Sequence, residues 1–401
     1  MNRKSSVLLG TGMVLLSLNL RPAAAAVGPL IHRIRADTGL SAVGASLLVV
    51  LPVLCFGAMA PLAPVLARRV GPRVTLTGAL AVLIAGLAVR LVPGLLFLFV
   101  GTALASAAIA VANVLLPVLV RRNFPGHTGL MTGLYSTALV GAAALAAAVA
   151  VPVANAFGGG WRAGLGIWVV PAAVAILPWL LELRQPEEPE TGDDALSGVG
   201  SLVHDRIAWA LTLFFALQSA GFYSTLAWLP SIFRSHGASD AQGGLLLAVT
   251  LLMGVFTALI VPSIATRTRD QRGFVVAFAA SAALGWVGVL AAPTAAPYLW
   301  AVLLGIGQNA LFPLALTMIV LRGGTVTSTA GLSTLVQTVG YLLAAFAPLA
   351  IGALHDSTGA WTIPVIVLLA LLGPQTLTGL VAGRRGQVRP RGAVGAATST
   401  S

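Results

Sequence analysis

Asn113-Val-Leu-Leu-Pro117 recurs 196 residues later as Asn309-Ala-Leu-Phe-Pro313, and this recurrence decides the fold. Other pairs fall in the same order at nearly the same offset. Gly133-Leu-Tyr-Ser136-Thr resembles Gly331-Leu-Ser333-Thr, 197 apart at the serines. Pro152 and Pro348 are 196 apart, Trp161 and Trp361 200 apart, Pro29 and Pro230 201 apart. Arg68-Arg69 before Arg73 is echoed by Arg267, Arg269 and Arg272. One pair alone carries little. A set in register along the chain points to duplication of one unit.

Composition says what kind of unit. Of 401 residues, 58% are hydrophobic and 8% charged, and the mean hydropathy is +0.96. Soluble domains carry about 25% charged residues, so this chain cannot cover a water-facing surface. It is also too apolar for disorder. The single cysteine, Cys55, excludes a disulfide framework and a cysteine-based metal site. A spanning helix needs about 20 apolar residues. Twelve such stretches are present, at 7–31, 42–67, 74–92, 95–120, 129–153, 163–181, 207–232, 241–263, 274–292, 297–321, 328–352 and 361–382. Aromatic strand alternation is absent, which excludes a β-barrel. The expected fold is an all-α membrane protein with twelve transmembrane helices in two pseudo-symmetric six-helix halves. The halves are 1–183 and 207–383, joined by a cytoplasmic linker at 184–206 and followed by a disordered cytoplasmic tail at 384–401.

The net charge of +12 reflects topology. Seventeen basic residues collect on one side of the expected spans and five on the other (Arg33, Arg35, Arg90, Arg162 and Arg234). The positive-inside rule places both termini in the cytoplasm of a multi-pass cell-membrane protein. The arginines are not interleaved with aromatics in a stripe, so no nucleic-acid partner is expected. The stretch 184–206 holds Glu187, Glu188, Glu190, Asp193, Asp194 and Asp205. Nothing spaces these carboxylates around one ion, and they read as a solvated linker. The N-terminal run ending in Ala23-Ala24-Ala25 resembles a cleavable signal peptide. Arg21 and Pro22 before that site, and an apolar stretch reaching Ile31, favour a retained first helix.

Arg21 is the remaining basic residue and lies inside a span. It stands two residues past the centre, about 3 Å at 1.5 Å per residue. A charge there costs roughly 2.5–3.5 kcal/mol to insert, so Arg21 must face a polar cavity or a partner. No Asp or Glu falls in an expected span core. A guanidinium in that setting suits an anionic or strongly dipolar solute. The competing reading is that Arg21 bonds only backbone carbonyls and amides. Pro22 lacks an N–H and strips the Leu18 carbonyl of its helical partner; Pro117 and Pro313 do the same for Asn113 and Asn309. Those amides either meet solute or patch the backbone. Asn19, Tyr135, Gln218, Tyr223, Trp228, Gln308, Gln337 and Tyr341 complete the substrate-binding candidates, each equally able to hold helices together. All five histidines lie near span ends or in loops, so no buried proton shuttle is evident. Any proton then travels on the substrate or through Asp37 or Asp356.

A family resemblance follows from the repeat and one loop. Pro64-Val-Leu66-Ala67-Arg68-Arg69-Val-Gly71-Pro72-Arg73 resembles the major facilitator pattern Gly-x-Leu-Ala-Asp-Arg-x-Gly-Arg-Arg at Leu66, Ala67, Arg69, Gly71 and Arg73. It departs at Pro64 and at Arg68, where the pattern has aspartate, which puts the usual gate contact in doubt. Asn19-Leu-Arg21-Pro22, Leu51-Pro52-Val-Leu-Cys-Phe56-Gly57, Asn113-Val-Leu-Leu-Pro117, Arg121-Arg-Asn-Phe-Pro125, Gln218-Ser, Tyr223 and Trp228-Leu-Pro230 resemble the cyanate permease and nitroimidazole exporter branch. The resemblance implies alternating access around a mid-membrane site between the halves, with Arg69, Gly71 and Arg73 in a cytoplasmic gate loop. It implies a secondary transporter of a cyanate-like anion, with export of neutral nitroimidazoles as the rival. No enzyme-type cluster, cofactor motif or metal-ligand set is seen. A channel is disfavoured by the two-half symmetry, and a monomer is the default.

Overall fold

The computed structural model describes residues 3–183, 199–200 and 202–388. Most of the expected linker (184–198 and 201) and of the expected tail (389–401) lies outside the described residues. The described chain is helical, with no strand. In order the helices are α1 Arg3–Ser17, α2 Pro22–Ala25, α3 Val27–Thr38, α4 Ala42–Met59, α5 Leu62–Val70, α6 Pro72–Val89, α7 Leu95–Asn123, α8 Thr128–Ala156, α9 Trp161–Gly166, α10 Val169–Glu182, α11 Arg206–Arg234, α12 Asp240–Ala265, α13 Arg272–Ala291, α14 Pro297–Gly323, α15 Val326–Thr358 and α16 Thr362–Ala382. Eleven stretches among the described residues are long and apolar enough to span a membrane, and the pair α4–α5, bent by 53°, makes twelve.

The breaks follow from proline and glycine. The first span is interrupted at Leu18–Arg21, where Asn19 N donates to Leu16 O (2.9 Å) and Leu20 N to Ser17 O (3.2 Å), a tightened turn ahead of Pro22. Pro61 sits at the α4–α5 bend. Gly71 closes α5 with φ 85° and ψ 150°, backbone that a side chain resists, and Pro72 opens α6 at once. Loop hydroxyls and one carboxylate cap the starts: Ser41 accepts from Gly44 N, Ser239 from Gln242 N and Thr325 from Ser328 N. Asp205, expected as a linker acid, accepts from Ile207 N and Ala208 N at 2.8 and 2.9 Å and caps α11.

Contacts divide the chain into two units, 1–119 with 134–192, and 120–133 with 193–401. In the first, α10 packs on α1 and α6, and α3 on α4 and α9. There α6 and α7 run backbone to backbone: a Cβ on Gly101 would lie 2.4 Å from Arg90 N and 2.6 Å from Gly86 O. Such close approach is how membrane helices gain dispersion contact where lipid is as apolar as leucine. In the second unit, α11 packs on α15 and α16, α12 on α14, and α13 on α14 and α16. Its buried centre includes Leu229, Phe233, Trp286, Leu304, Trp361 and Leu368. The segment 120–133 belongs here because its glycines lie against α12. A Cβ on Gly129 would meet Thr266 Oγ1, and one on Gly133 would lie 2.9 Å from Leu259 O.

Candidate functional site

In the first unit two of the candidates, Asn19 and Arg21, lie at the broken first helix. Arg21 caps α2, is half-buried, and holds its guanidinium carbon 5.8 Å from the ring centre of Phe56 on α4, within cation–π range. Its carbonyl accepts from Ala24 N and Ala25 N and restarts the helix. Two residues earlier, Asn19 is 3% exposed. Its Nδ2 donates to Leu15 O (2.8 Å) and to Pro171 O (3.3 Å). Both neighbours are carbonyls, so the amide orientation is settled and Oδ1 faces the other way. That oxygen is buried with no hydrogen-bond partner among the described residues.

Asn113 on α7 and Tyr135 on α8 are buried at 6% and 1% exposure. Next to Tyr135, the hydroxyls of Ser136 and Thr137 have no partner among the described residues. They stand out because most hydroxyls in these helices donate one turn back, as Ser17 does to Met13 O at 2.8 Å.

The second unit sorts its candidates. Asn309 donates from Nδ2 to Thr250 O (2.6 Å), and Thr250 Oγ1 to Ala301 O (3.1 Å), so this amide ties α14 to α12. Trp228 donates from Nε1 to Pro348 O (2.8 Å) and packs on Gly352 and Trp361. Both are occupied in holding helices. Gln337 donates to Ser333 Oγ (2.9 Å) within α15. Tyr341 packs edge-on against Phe215, Tyr223 against Phe222, and the Gln308 amide against Gly221. Gln218 donates to Ser219 Oγ (2.6 Å), while its buried Oε1 has no partner among the described residues. Asn19 and Gln218 thus resemble each other across the repeat, 199 residues apart, each with an unused amide oxygen.

At the loop end of the first unit, Arg69 is exposed in the last turn of α5. Arg73, the second residue of α6, pairs with Glu182, the last residue of α10, at 3.3 Å. Glu182 is 1% exposed. A charge contact therefore exists here although the motif aspartate is replaced by Arg68.

Two groups escape a linear reading. Glu182 stands five residues before the run of linker acids and has no local mark. Arg90 reads as a turn marker, yet it is fully buried. Its Nη1 donates to Ala23 O (2.8 Å) and its Nη2 to Leu165 O (3.0 Å), clamping the broken first helix to α9. The only signal is its place at the end of an unbroken apolar run. At the opposite end from Glu182, Asp37 accepts from Trp161 Nε1 and Arg162 Nη1, both at 2.8 Å. These two donors hold its carboxyl below the usual carboxylate range.

The Major Facilitator Superfamily signature matches residues 7–348. The chain is 38% identical over 385 residues to the uncharacterized transporter YycB of Bacillus subtilis, covering 96% of this chain and 95% of that one. It is 36% identical over 389 residues to the 2-nitroimidazole transporter of Escherichia coli, covering 96% and 98%. It is 31% identical over 349 residues to the cyanate transport protein CynX of Escherichia coli, covering 86% and 90%. A solved proton:xylose symporter superposes with a TM-score of 0.74 at 14% identity, over 96% of each chain. With a duplicated helical sequence, twelve spans and relatives of this extent, the chain belongs to the major facilitator superfamily and is a membrane transporter, not an enzyme.

Proposed function

We propose that this protein is a secondary active transporter that moves a small anionic or polar solute, cyanate-like in size and charge, across the cell membrane. It works as a monomer by alternating access of two six-helix halves, 1–183 and 207–383, with both termini in the cytoplasm and Arg69, Gly71 and Arg73 in the cytoplasmic gate loop. The observation that carries the reading is Arg21, a permanent charge at a helix break in the middle of a span. A planar guanidinium matches a delocalised anion, and broken backbone at that depth is tolerated where it lines a cavity. The similarity to the cyanate transport protein supports it. Uptake of labelled cyanate into proteoliposomes tests it. Arg21→Ala should lower uptake by about tenfold or more, the loss of one charge-assisted contact, with unchanged insertion. Wild-type kinetics in that variant would remove the anion reading.

A second reading is export of neutral nitroimidazoles, and one observation favours it. Asn19 Oδ1 is an acceptor without a donor among the described residues, and a cyanate-like anion has no N–H to offer. An imidazole N–H answers that oxygen while its nitro group answers Arg21. Counterflow with 2-nitroimidazole against cyanate separates the two: transport of the heterocycle alone sinks the anion reading.

A further inference from the structure

At one end of the second unit a concavity of about 670 Å³ opens between the α12–α13 turn, the end of α14 and the segment that follows α16. Three arginines from these three places line it: Arg269, Arg322 and Arg385. Arg322 is 4% exposed and rigidly held. Its Nε donates to Ala382 O (2.9 Å), and its Nη2 to Gly383 O (2.9 Å) and to Gln271 Oε1. All three acceptors are neutral. No hydrogen bond engages Nη1 among the described residues, and Arg322 lines the concavity.

The walls are fastened as well. Val388 N donates to Arg322 O (2.9 Å) and Gln271 N to Gly383 O (2.9 Å). Gln271 Nε2 donates to Ala265 O and Thr268 O. Arg269 and Arg385 are exposed and hold no partner among the described residues. The adjacent acid, Asp270, is engaged by Arg272, with Nη2 to Oδ2 at 2.6 Å. Asp270 acts on Arg322 only through space, so three guanidiniums line the concavity with no carboxylate among its lining residues, and it keeps a net positive charge. None of its lining residues is a solute candidate, and none lies on α11 or α15.

We infer that this concavity binds a phosphate group, supplied by the headgroup of an anionic lipid. Guanidinium groups from three chain segments suit a tetrahedral group with several oxygens better than a planar carboxylate, which one fork satisfies. The concavity lies where the apolar stretches of α12, α14 and α16 end and that of α13 begins, and lipid phosphates sit at the ends of spans. It is also the arginine-rich end that the charge distribution assigns to the cytoplasm, where basic pockets between helices take anionic headgroups.

The test measures unfolding midpoints and lipid affinity of the full chain in nanodiscs of phosphatidylcholine, with and without phosphatidylglycerol. Phosphatidylglycerol should raise the wild-type midpoint. The exposed pair Arg269→Gln with Arg385→Gln should weaken that binding by about tenfold and erase the increment. Arg267→Gln with Arg384→Gln removes the same charge from the same end outside the concavity and should keep it. Equal loss in both double variants, or in neither, overturns the site. In a second arm, inorganic phosphate is added to detergent-solubilised protein. A midpoint raised by phosphate but not by phosphatidylglycerol overturns the lipid as source, while a gain from the lipid that excess phosphate diminishes supports it.

Discussion

Arg73 and Glu182 meet at 3.3 Å, with Glu182 1% exposed, and so join the start of α6 to the end of α10. The contact lies at the loop whose usual aspartate is absent in this chain. Its acid comes instead from a residue more than a hundred positions downstream, on a helix that packs against α6.

Removing one partner of such a buried pair strands the other. Glu182→Gln should destabilise the protein by on the order of 3 kcal/mol. The measurement is the unfolding midpoint in detergent. Arg73→Gln combined with Glu182→Gln should recover part of the loss, because no charge is then left unpaired; a double variant as weak as the sum of the two would contradict the pairing.

Asn19 offers a sharper test of solute chemistry. Asn19→Leu deletes the unused Oδ1 together with the anchoring Nδ2. If a donor-bearing heterocycle is the solute, its KM should rise about tenfold or more while cyanate handling, if any, changes less. Equal effects on both solutes would assign Asn19 to helix packing.

Gly101 and Gly78 form a matched pair. A Cβ at Gly101 collides with Arg90 N and Gly86 O, whereas one at Gly78 meets nothing within 4 Å. Gly101→Ala should cost about 1–3 kcal/mol through forced separation of α6 and α7. Gly78→Ala, in the same helix pair, should be neutral or stabilise by up to ~1 kcal/mol from helix propensity. Comparing the two midpoints checks the close approach directly.

Arg90 should not tolerate lysine. Arg90→Lys keeps the charge but loses the fork that reaches Ala23 O and Leu165 O together, and one carbonyl is left without its donor. The expected loss is about 2 kcal/mol, read as a lowered midpoint; an unchanged midpoint would show that the two carbonyls do not depend on one guanidinium.

Asp37 gives a pH dependence with a definite sign. Trp161 and Arg162 lower its pKa in the folded protein, so the folded state favours the ionised form more than the unfolded state does. That contribution is whole above about pH 4, the ordinary carboxylate value, and is lost as pH falls through the lower folded value. The midpoint gap between wild type and Asp37→Asn should be constant from neutral pH to about 5 and shrink below about 4. A gap as large at pH 3 as at neutral pH would contradict the assignment.

Much of this molecule is readable along the chain because the bilayer imposes a one-dimensional rule. Each spanning helix must satisfy its own backbone, so apolar length alone marks the spans, whereas proline is an uneven guide to breaks, since Pro52, Pro117, Pro152, Pro313 and Pro348 all lie inside continuous helices. Pro22, Pro61 and Gly71 stand where the first helix breaks, the second span bends and α5 ends. The repeat of Asn113 to Pro117 at Asn309 to Pro313 announces the duplication. Partners are another matter. That Asn309 binds Thr250 O, that Trp228 binds Pro348 O, and that Asn19 keeps an oxygen unused are facts about which helix lies alongside, and nothing local encodes them. The same holds for Arg90, whose two carbonyls come from residues 67 and 75 positions away. Hydrophobic length is a property of a segment, but a hydrogen bond between segments exists only once packing has fixed distance and direction.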